Sequence, residues 1–194
     1  LIEGLKSSVV ADKIILCTSH EPEDDRLSDV ARSVGIDCFR GSLEDKLMRW
    51  HGACEQYEVD FFVNADGDDL FFDPGLADHI FLQYNTKKCD FIDGHGLYND
   101  AYGITKAALR EVCLTKNTDS TEYIRPYFLN PKFDVQKLVN IPKKYLPNED
   151  FYTYINHKWL SVETKKLLKD PKYFVEVDDF RIVQDKVYHE LMID

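Results

Sequence analysis

Three carboxylates fill four positions at Asp66-Gly67-Asp68-Asp69, close behind the apolar run Phe61-Phe62-Val63. Asp73-Pro74 follows and opens the next segment. In an α/β sheet a buried strand reads as a short apolar run, and ligands collect just beyond its carboxyl end. Carboxylates at that edge suit a hard divalent cation, usually Mg²⁺ carrying a phosphorylated substrate. Asp and Gly are also ordinary turn residues, so a solvated acidic turn is the competing reading.

The surrounding chain supplies elements able to hold such an edge. Lys13–Cys17 reads as a buried strand stopped by Thr18-Ser19-His20, and the acids of residues 21–25 precede a helix over Arg26–Val34, as a helix N-terminus prefers. Gly35 is a helix stop, Ile36–Phe39 a second strand, and Ser42 with Asp45 a capping-box-like start for the stripe Leu43, Leu47, Trp50 and Cys54. After the Phe61 strand come a helix from Pro74, a strand over Cys89–Ile92, a strand over Ala101–Ile104 and a helix through Val112. A short helix within Thr121–Phe128 and an extended run over Val135–Ile141 complete the regular part. Leu1, Ile2 and Leu5 have helical spacing at the start, so the chain reads as taken up partway through its first βα unit. Strands alternating with amphipathic helices predict a largely parallel α/β sheet. Residues 142–172 read as an irregular excursion, followed by a strand over Tyr173–Val177 and a closing helix with Phe180, Val183, Val187 and Leu191 on one stripe. The expected organisation is a single domain over residues 1–194.

Composition excludes several functions. A net charge of -11 argues against nucleic acid as the main partner, because phosphate backbones are met by clustered Lys and Arg. No segment approaches the ~18 consecutive apolar residues of a membrane helix, so no membrane partner is expected. The five cysteines are widely spaced and never form CxxC, which favours reduced, mostly buried thiols in a cytoplasmic protein. The six histidines form neither HxH nor HExxH, and no Gly-x-Ser-x-Gly is present. Their reading is a scattered core or surface role.

Four segments taken in order resemble the cytidylyltransferase family that activates sugars and sugar acids as CMP conjugates, with the closest likeness to the branch named for spore-coat polysaccharide biosynthesis. They are Cys17-Thr18-Ser19 with Glu23-Asp24-Asp25; Phe39-Arg40-Gly41-Ser42-Leu43-Glu44-Asp45-Lys46-Leu47 with Arg49; Gly67-Asp68-Asp69-Leu70-Phe71-Phe72-Asp73-Pro74; and Lys116-Asn117-Thr118-Asp119-Ser120-Thr121-Glu122-Tyr123. The likeness covers roughly residues 1–141, with one residue inserted after Ser42. It implies a Rossmann-like three-layer α/β/α nucleotidyltransferase fold of GT-A-like type with a mostly parallel sheet. It also implies transfer of CMP from CTP to a sugar or sugar acid, with release of pyrophosphate. Asp68 would be the catalytic and Mg²⁺-holding residue, and Ser19, Arg40, Ser42 and Gly67 would lie on the nucleotide side. Asp100 and Glu122 would be sugar-side contacts, although an ordinary loop acid suits Asp100 as well. Dimerisation, common among such enzymes, is a further expectation.

Two departures stand out. The family's N-terminal strand and its Arg and Gly-Lys loop, which grip the triphosphate, have no counterpart from Leu1 onward. The resemblance places them ahead of Leu1, and without them this chain should transfer nucleotides inefficiently. Toward the other end, Phe174-Val175-Glu176-Val177-Asp178-Asp179 looks more like the Glu-Val-Asp element of sugar-phosphate and choline-phosphate nucleotidyltransferases. Asp178 is then the second metal ligand, against the plainer role of a helix cap.

Two other readings compete. Asp66-Gly67-Asp68 is literally the Asp-x-Asp with which glycosyltransferases bind a metal-diphosphate. A non-catalytic relative would bind a nucleotide or a partner without turnover.

Overall fold

Strand periodicity decides how this protein is layered. The structure, a computed structural model, describes residues 1–69, 72–97 and 100–142. All of these lie within the unit Leu1–Pro147. The expected excursion from residue 143 onward, the strand over Tyr173–Val177, the closing helix and Asp178 lie outside the described residues.

The described elements are α1 (Ile2–Leu5), β1 (Ile15–Ser19), α2 (Asp25–Val34), β2 (Asp37–Gly41), α3 (Lys46–Gln56), β3 (Phe61–Val63), α4 (Pro74–Thr86), β4 (Phe91–Gly94), β5 (Ala101–Thr105), α5 (Lys106–Thr115), α6 (Arg125–Phe128) and β6 (Val135–Lys137). Gly35 ends α2 in the left-handed region at φ 70°, where a Cβ would be strained. Asp73 and Thr105 cap α4 and α5 by accepting from the N–H groups of Gly75 and Ala108. Pro126 sits in the first turn of α6, so the helix expected within Thr121–Phe128 begins only at Arg125. The extended run expected to Ile141 pairs only over Val135–Lys137.

β1 and β2 pair in parallel, with Ser19 opposite Gly41 at their carboxyl ends. A second sheet has the order β3-β5-β4-β6. β5 is antiparallel to both β3 and β4, and β6 is parallel to β4. β3, β4 and β6 therefore share one direction and their carboxyl ends share one edge, while β5 alone opposes them. The α/β fold with a mostly parallel sheet is thus realised, with one inserted reversed strand.

Alternation along β4 and β5 sends side chains to two helical layers. Phe91, Tyr102 and Ile104 pack with Leu47, Trp50 and Cys54 of α3, Leu109 and Val112 of α5, and Phe128 of α6. Ile92 and Ala101 pack on the other face with Leu76, Ala77 and Ile80 of α4, joined by Leu1 and Leu5. Phe91 lies between two rings, with centroids 4.9 Å from Phe128 and 5.5 Å from Tyr102. Gly103 is demanded by packing: a Cβ there would come within 2.5 Å of the Phe61 ring and 2.7 Å of Ile80. Buried thiols fit the same scheme, and burial pushes Cys17 and Cys54 up to about 12. All five cysteines are free.

Candidate active site

The carboxyl ends of β1 and β2 are tied together by polar side chains that the sequence placed near a ligand. Asp24 Oδ2 accepts hydrogen bonds from Thr18 Oγ1 at 2.8 Å, from the Ser19 N–H at 2.9 Å and from Ser19 Oγ. These bonds, from Ser19 first, hold the Asp24 carboxyl below its usual range. Ser19 is buried, and its hydroxyl accepts in turn from the Glu21 N–H. Arg40 spans the turn, donating to the carbonyls of Ser19 (2.7 Å) and Glu21 (2.8 Å) and to the carboxylate of Asp25. The Thr-Ser and Glu-Asp-Asp parts of the first matched segment, together with Arg40 of the second, thus close one loop onto itself.

The next turn joins two segments far apart in sequence. Ser42 Oγ accepts from the Asp45 N–H at 3.0 Å, and Arg49 donates to the Ser42 carbonyl at 2.6 Å. The cap of α3 is Asp45 itself, which accepts from the Met48 N–H at 3.1 Å, so the helix begins three residues later than the Ser42 pattern suggested. Asp45 is buried, and it also accepts from Thr121 Oγ1 at 3.0 Å and pairs with Lys116 Nζ. Thr121 completes the join: its hydroxyl accepts from the Leu47 N–H and its own N–H donates to the Glu44 carbonyl. Burial works against the Lys116 charge, but hydrogen bonds to Asp45 and Asp119 outweigh it and raise the lysine's pKa.

At the end of β3, the Asn64 side chain takes over from the ladder, accepting the Tyr102 N–H at 2.8 Å while the Asn64 N–H donates to the Tyr102 carbonyl. The acidic turn begins two residues further on, at Asp66. Lys46, on the first turn of α3, reaches into it: Nζ lies 2.9 Å from Asp66 Oδ1 and 3.6 Å from Glu122 Oε1, and 5.3 Å from the Trp50 ring centre. The lysine side chain is only 12% exposed, so its charge is committed to these acids rather than to solvent. Asp66 and Glu122 are therefore neighbours through one cation. Asp68 differs: it is exposed and forms no hydrogen bond or ion pair among the described residues. Gly67 beside it is exposed with open space around it.

Among the described residues no three His, Cys, Asp or Glu side chains converge as a ready-made metal cage. That donor set still fits Mg²⁺, which usually takes one or two carboxylates and fills its remaining positions with water and substrate phosphate. An exposed, uncommitted Asp68 beside a partly neutralised Asp66 is such a set. Asp178, the other expected ligand, lies outside the described residues.

The carboxyl end of β4, on the same edge as β3, carries a second charged group. Asp93 is buried and accepts two parallel bonds from Arg125, at 2.9 and 2.8 Å, one from Lys137 Nζ and one from the His95 N–H at 3.1 Å. Burial alone would raise its carboxyl, but the bonds from Arg125 and Lys137 prevail and hold it at about 2. The folded value lies below the ordinary 3.8, so the folded state binds fewer protons there than the unfolded chain. This contribution to stability is complete above about pH 4 and is lost as pH falls through about 2. Urea unfolding between pH 5 and 2 should show that loss in the wild type and a shallower one in Asp93→Asn; equal slopes would refute it.

Asp100 accepts from His95 Nδ1 at 2.6 Å, the Gly96 N–H at 2.9 Å and the Tyr102 hydroxyl at 2.9 Å. Burial works to raise its carboxyl, but these donors, His95 first, bring it below the usual range.

The sequence expects Arg40, Ser42, Asp68 and Glu122 at one site; the structure joins two of the matched segments through Asp45, Lys116 and Thr121, while Lys46 links Glu122 to Asp66, just ahead of Gly67-Asp68, and Arg40 closes the β1–α2 turn. Lys46, Asp93, Arg125, Lys137 and His95 have no place in that expectation. Lys46 had one usable signal, a cation in the first turn of a helix where the dipole disfavours it.

No family model matches the chain. An uncharacterized protein of Methanocaldococcus jannaschii is 29% identical over 184 residues, spanning 91% of this chain and 70% of that protein. A cytidylyltransferase from Leptospira borgpetersenii serovar Hardjo-bovis has a similar solved structure, with a TM-score of 0.65 and 22% identity, over 96% of this chain and 82% of that one. The likeness shows that the chain has the Rossmann-like α/β fold of that enzyme. No helix among the described residues is long and apolar enough to cross a membrane.

Proposed function

We propose that this protein is a Mg²⁺-dependent nucleotidyltransferase that moves CMP from CTP onto a sugar or sugar acid and releases pyrophosphate, in the biosynthesis of nucleotide sugars or surface glycans. One observation carries the reading. Segments 70 or more positions apart, Ser42–Leu47 and Lys116–Glu122, interlock through Asp45, Lys46 and Thr121 beside the carboxyl end of β3, where Asp68 stands uncommitted. They are segments that resemble the family, and a fold shared with a cytidylyltransferase supports the same reading.

The chemistry asked of the protein is positioning and charge neutralisation, since the acceptor oxygen displaces pyrophosphate in line and no protein nucleophile is needed. Asp68 would hold Mg²⁺, which when bound stabilises negative charge on the phosphate oxygens. Arg40 and the Thr18-Ser19-Asp24 knot hold the β1–α2 loop closed as one wall of the nucleotide side, with Ser42 and Gly67 along it. Lys46 partly neutralises Asp66 beside Asp68 and pairs with Glu122 on the sugar side. Asp100 shapes the turn between β4 and β5. The same reading places the protein in the cytoplasm as a homodimer.

The test is a thermal-shift series with CTP, UTP, GTP and ATP, each with and without Mg²⁺, followed by pyrophosphate release across a panel of sugars and sugar acids. Native-state binding at ~100-fold above Kd adds about 2.7 kcal/mol of stability. A Mg²⁺-dependent response to CTP alone, with pyrophosphate released on adding an acceptor, is the expected result. No response to any nucleotide would refute the proposal. Turnover of a UDP- or GDP-sugar without pyrophosphate release would replace it with glycosyl transfer, and CTP binding without turnover would make the protein a non-catalytic relative.

A further inference from the structure

The turn between β4 and β5 contains a histidine whose ring is bonded to a carboxylate through Nδ1, unlike the other described histidines. Asp100, ionised and able only to accept, receives the His95 ring at Nδ1 together with the Gly96 N–H and the Tyr102 hydroxyl. Nδ1 therefore carries a proton, and in the neutral ring the lone pair is on Nε2. The backbone is held as well, because the His95 N–H donates to the buried Asp93 carboxylate at 3.1 Å. Gly96, at φ 90°, permits the reversal that brings Asp100 back onto the ring. The imidazole is 44% exposed, and Nε2 has no partner among the described residues.

Position adds to orientation. His95 directly follows Gly94 at the carboxyl end of β4, and Asp68 follows the carboxyl end of β3. These strands share a direction and are separated only by β5, so their ends lie on one edge, two strand spacings or roughly 10 Å apart. Among the described residues, the charged and titratable groups bonded in this turn are Asp93 and its partners Arg125 and Lys137, then Asp100 and Tyr102. Asp93 is consumed by the two cations and the His95 N–H, and Asp100 by three donors. Tyr102 is a donor to Asp100, and burial followed by that bond raises its pKa. Among these groups, the imidazole Nε2 is the acceptor left available.

We propose that His95, oriented by Asp100, is the general base of the transfer; this rests on the nucleotidyl-transfer reading above. The acceptor hydroxyl oxygen forms its bond to the α-phosphorus and its proton passes to Nε2. The bond from the α-phosphorus to the bridging oxygen breaks, pyrophosphate leaves with the electron pair, and the proton is returned to solvent. Asp100 is a positioning residue, setting the tautomer without touching substrate.

The test compares pyrophosphate release against pH for wild type, His95→Gln, His95→Gly and Asp100→Asn, with the thermal shift by CTP and Mg²⁺ as the binding readout. His95→Gln should lower kcat by about a hundredfold, the low end for a positioned base, leave the CTP shift unchanged and flatten the acid limb of the profile. Added imidazole should restore part of the activity of His95→Gly, and Asp100→Asn should fall between wild type and His95→Gln. Wild-type turnover with an unaltered rate and profile in His95→Gln overturns this assignment alone. A wild type that neither binds nor turns over any nucleotide overturns the transferase reading, and the assignment with it.

Discussion

Asp68→Asn should lower CTP turnover by about a thousandfold, the loss of several kcal/mol of charge stabilisation at the phosphates. The side chain is exposed and has no partner among the described residues, so the substitution leaves nothing unsatisfied in the fold. Its effect on stability should stay within about 0.5 kcal/mol, as for other surface changes. This separation makes the variant informative, because a carboxamide of the same shape loses the anionic oxygen that a hard cation prefers. Asp66 offers a contrast within the same turn. Its carboxylate is held by Lys46 at 2.9 Å, so Asp66→Asn disturbs an ion pair in addition to any ligand role. Steady-state pyrophosphate release, titrated with Mg²⁺, reads both variants. Asp68→Asn at wild-type turnover and wild-type Mg²⁺ dependence would remove Asp68 from the mechanism.

The largest effect on stability is expected at Asp45. Both members of the Asp45–Lys116 pair are only 5% exposed, so removing Asp45 leaves a buried ammonium held only by the exposed Asp119 and the Thr118 carbonyl. Breaking a buried pair costs roughly 3 to 5 kcal/mol; with Asp119 still beside Lys116 the low end, about 3, applies, and losing the α3 cap adds about 1. Asp45→Ala should therefore destabilise the protein by about 4 kcal/mol. Asp45→Asn keeps an acceptor for the Met48 N–H and Thr121 while deleting the charge, and should lose about half as much. Equilibrium urea denaturation measures both. A cost below about 1 kcal/mol for Asp45→Ala would show that the Lys116–Glu122 segment does not depend on this pair for its place against α3.

The site depends on three such joins, each with its own reason to resist detection in a sequence. Asp45 was visible as part of a helix-start pattern, because capping is decided within four residues. That it also anchors Lys116 and Thr121 was not visible, since those partners lie 71 and 76 positions away. Arg125 and Lys137 carry no signal in the sequence, and only the fold sets them, 32 and 44 positions along the chain, against Asp93. His95 read as one of six scattered histidines, and only the reversal at Gly96 that returns Asp100 to its ring made it distinct.

What the sequence determined by itself was local in its physics. Short apolar runs, stripes with period 3.6, Gly35 beyond a helix and Asp73-Pro74 at the head of another depend on neighbours within a few positions, and their placement was legible to within a few residues. Strand direction is not written in periodicity, so β5 lying antiparallel between β3 and β4 emerged only from pairing. The tertiary structure alone decided which acid in Asp66-Gly67-Asp68-Asp69 belongs to Lys46 and that Asp68 is left to solvent. An ion pair is settled by distance through space and by the cost of burying a charge, and neither is a property of position along the chain.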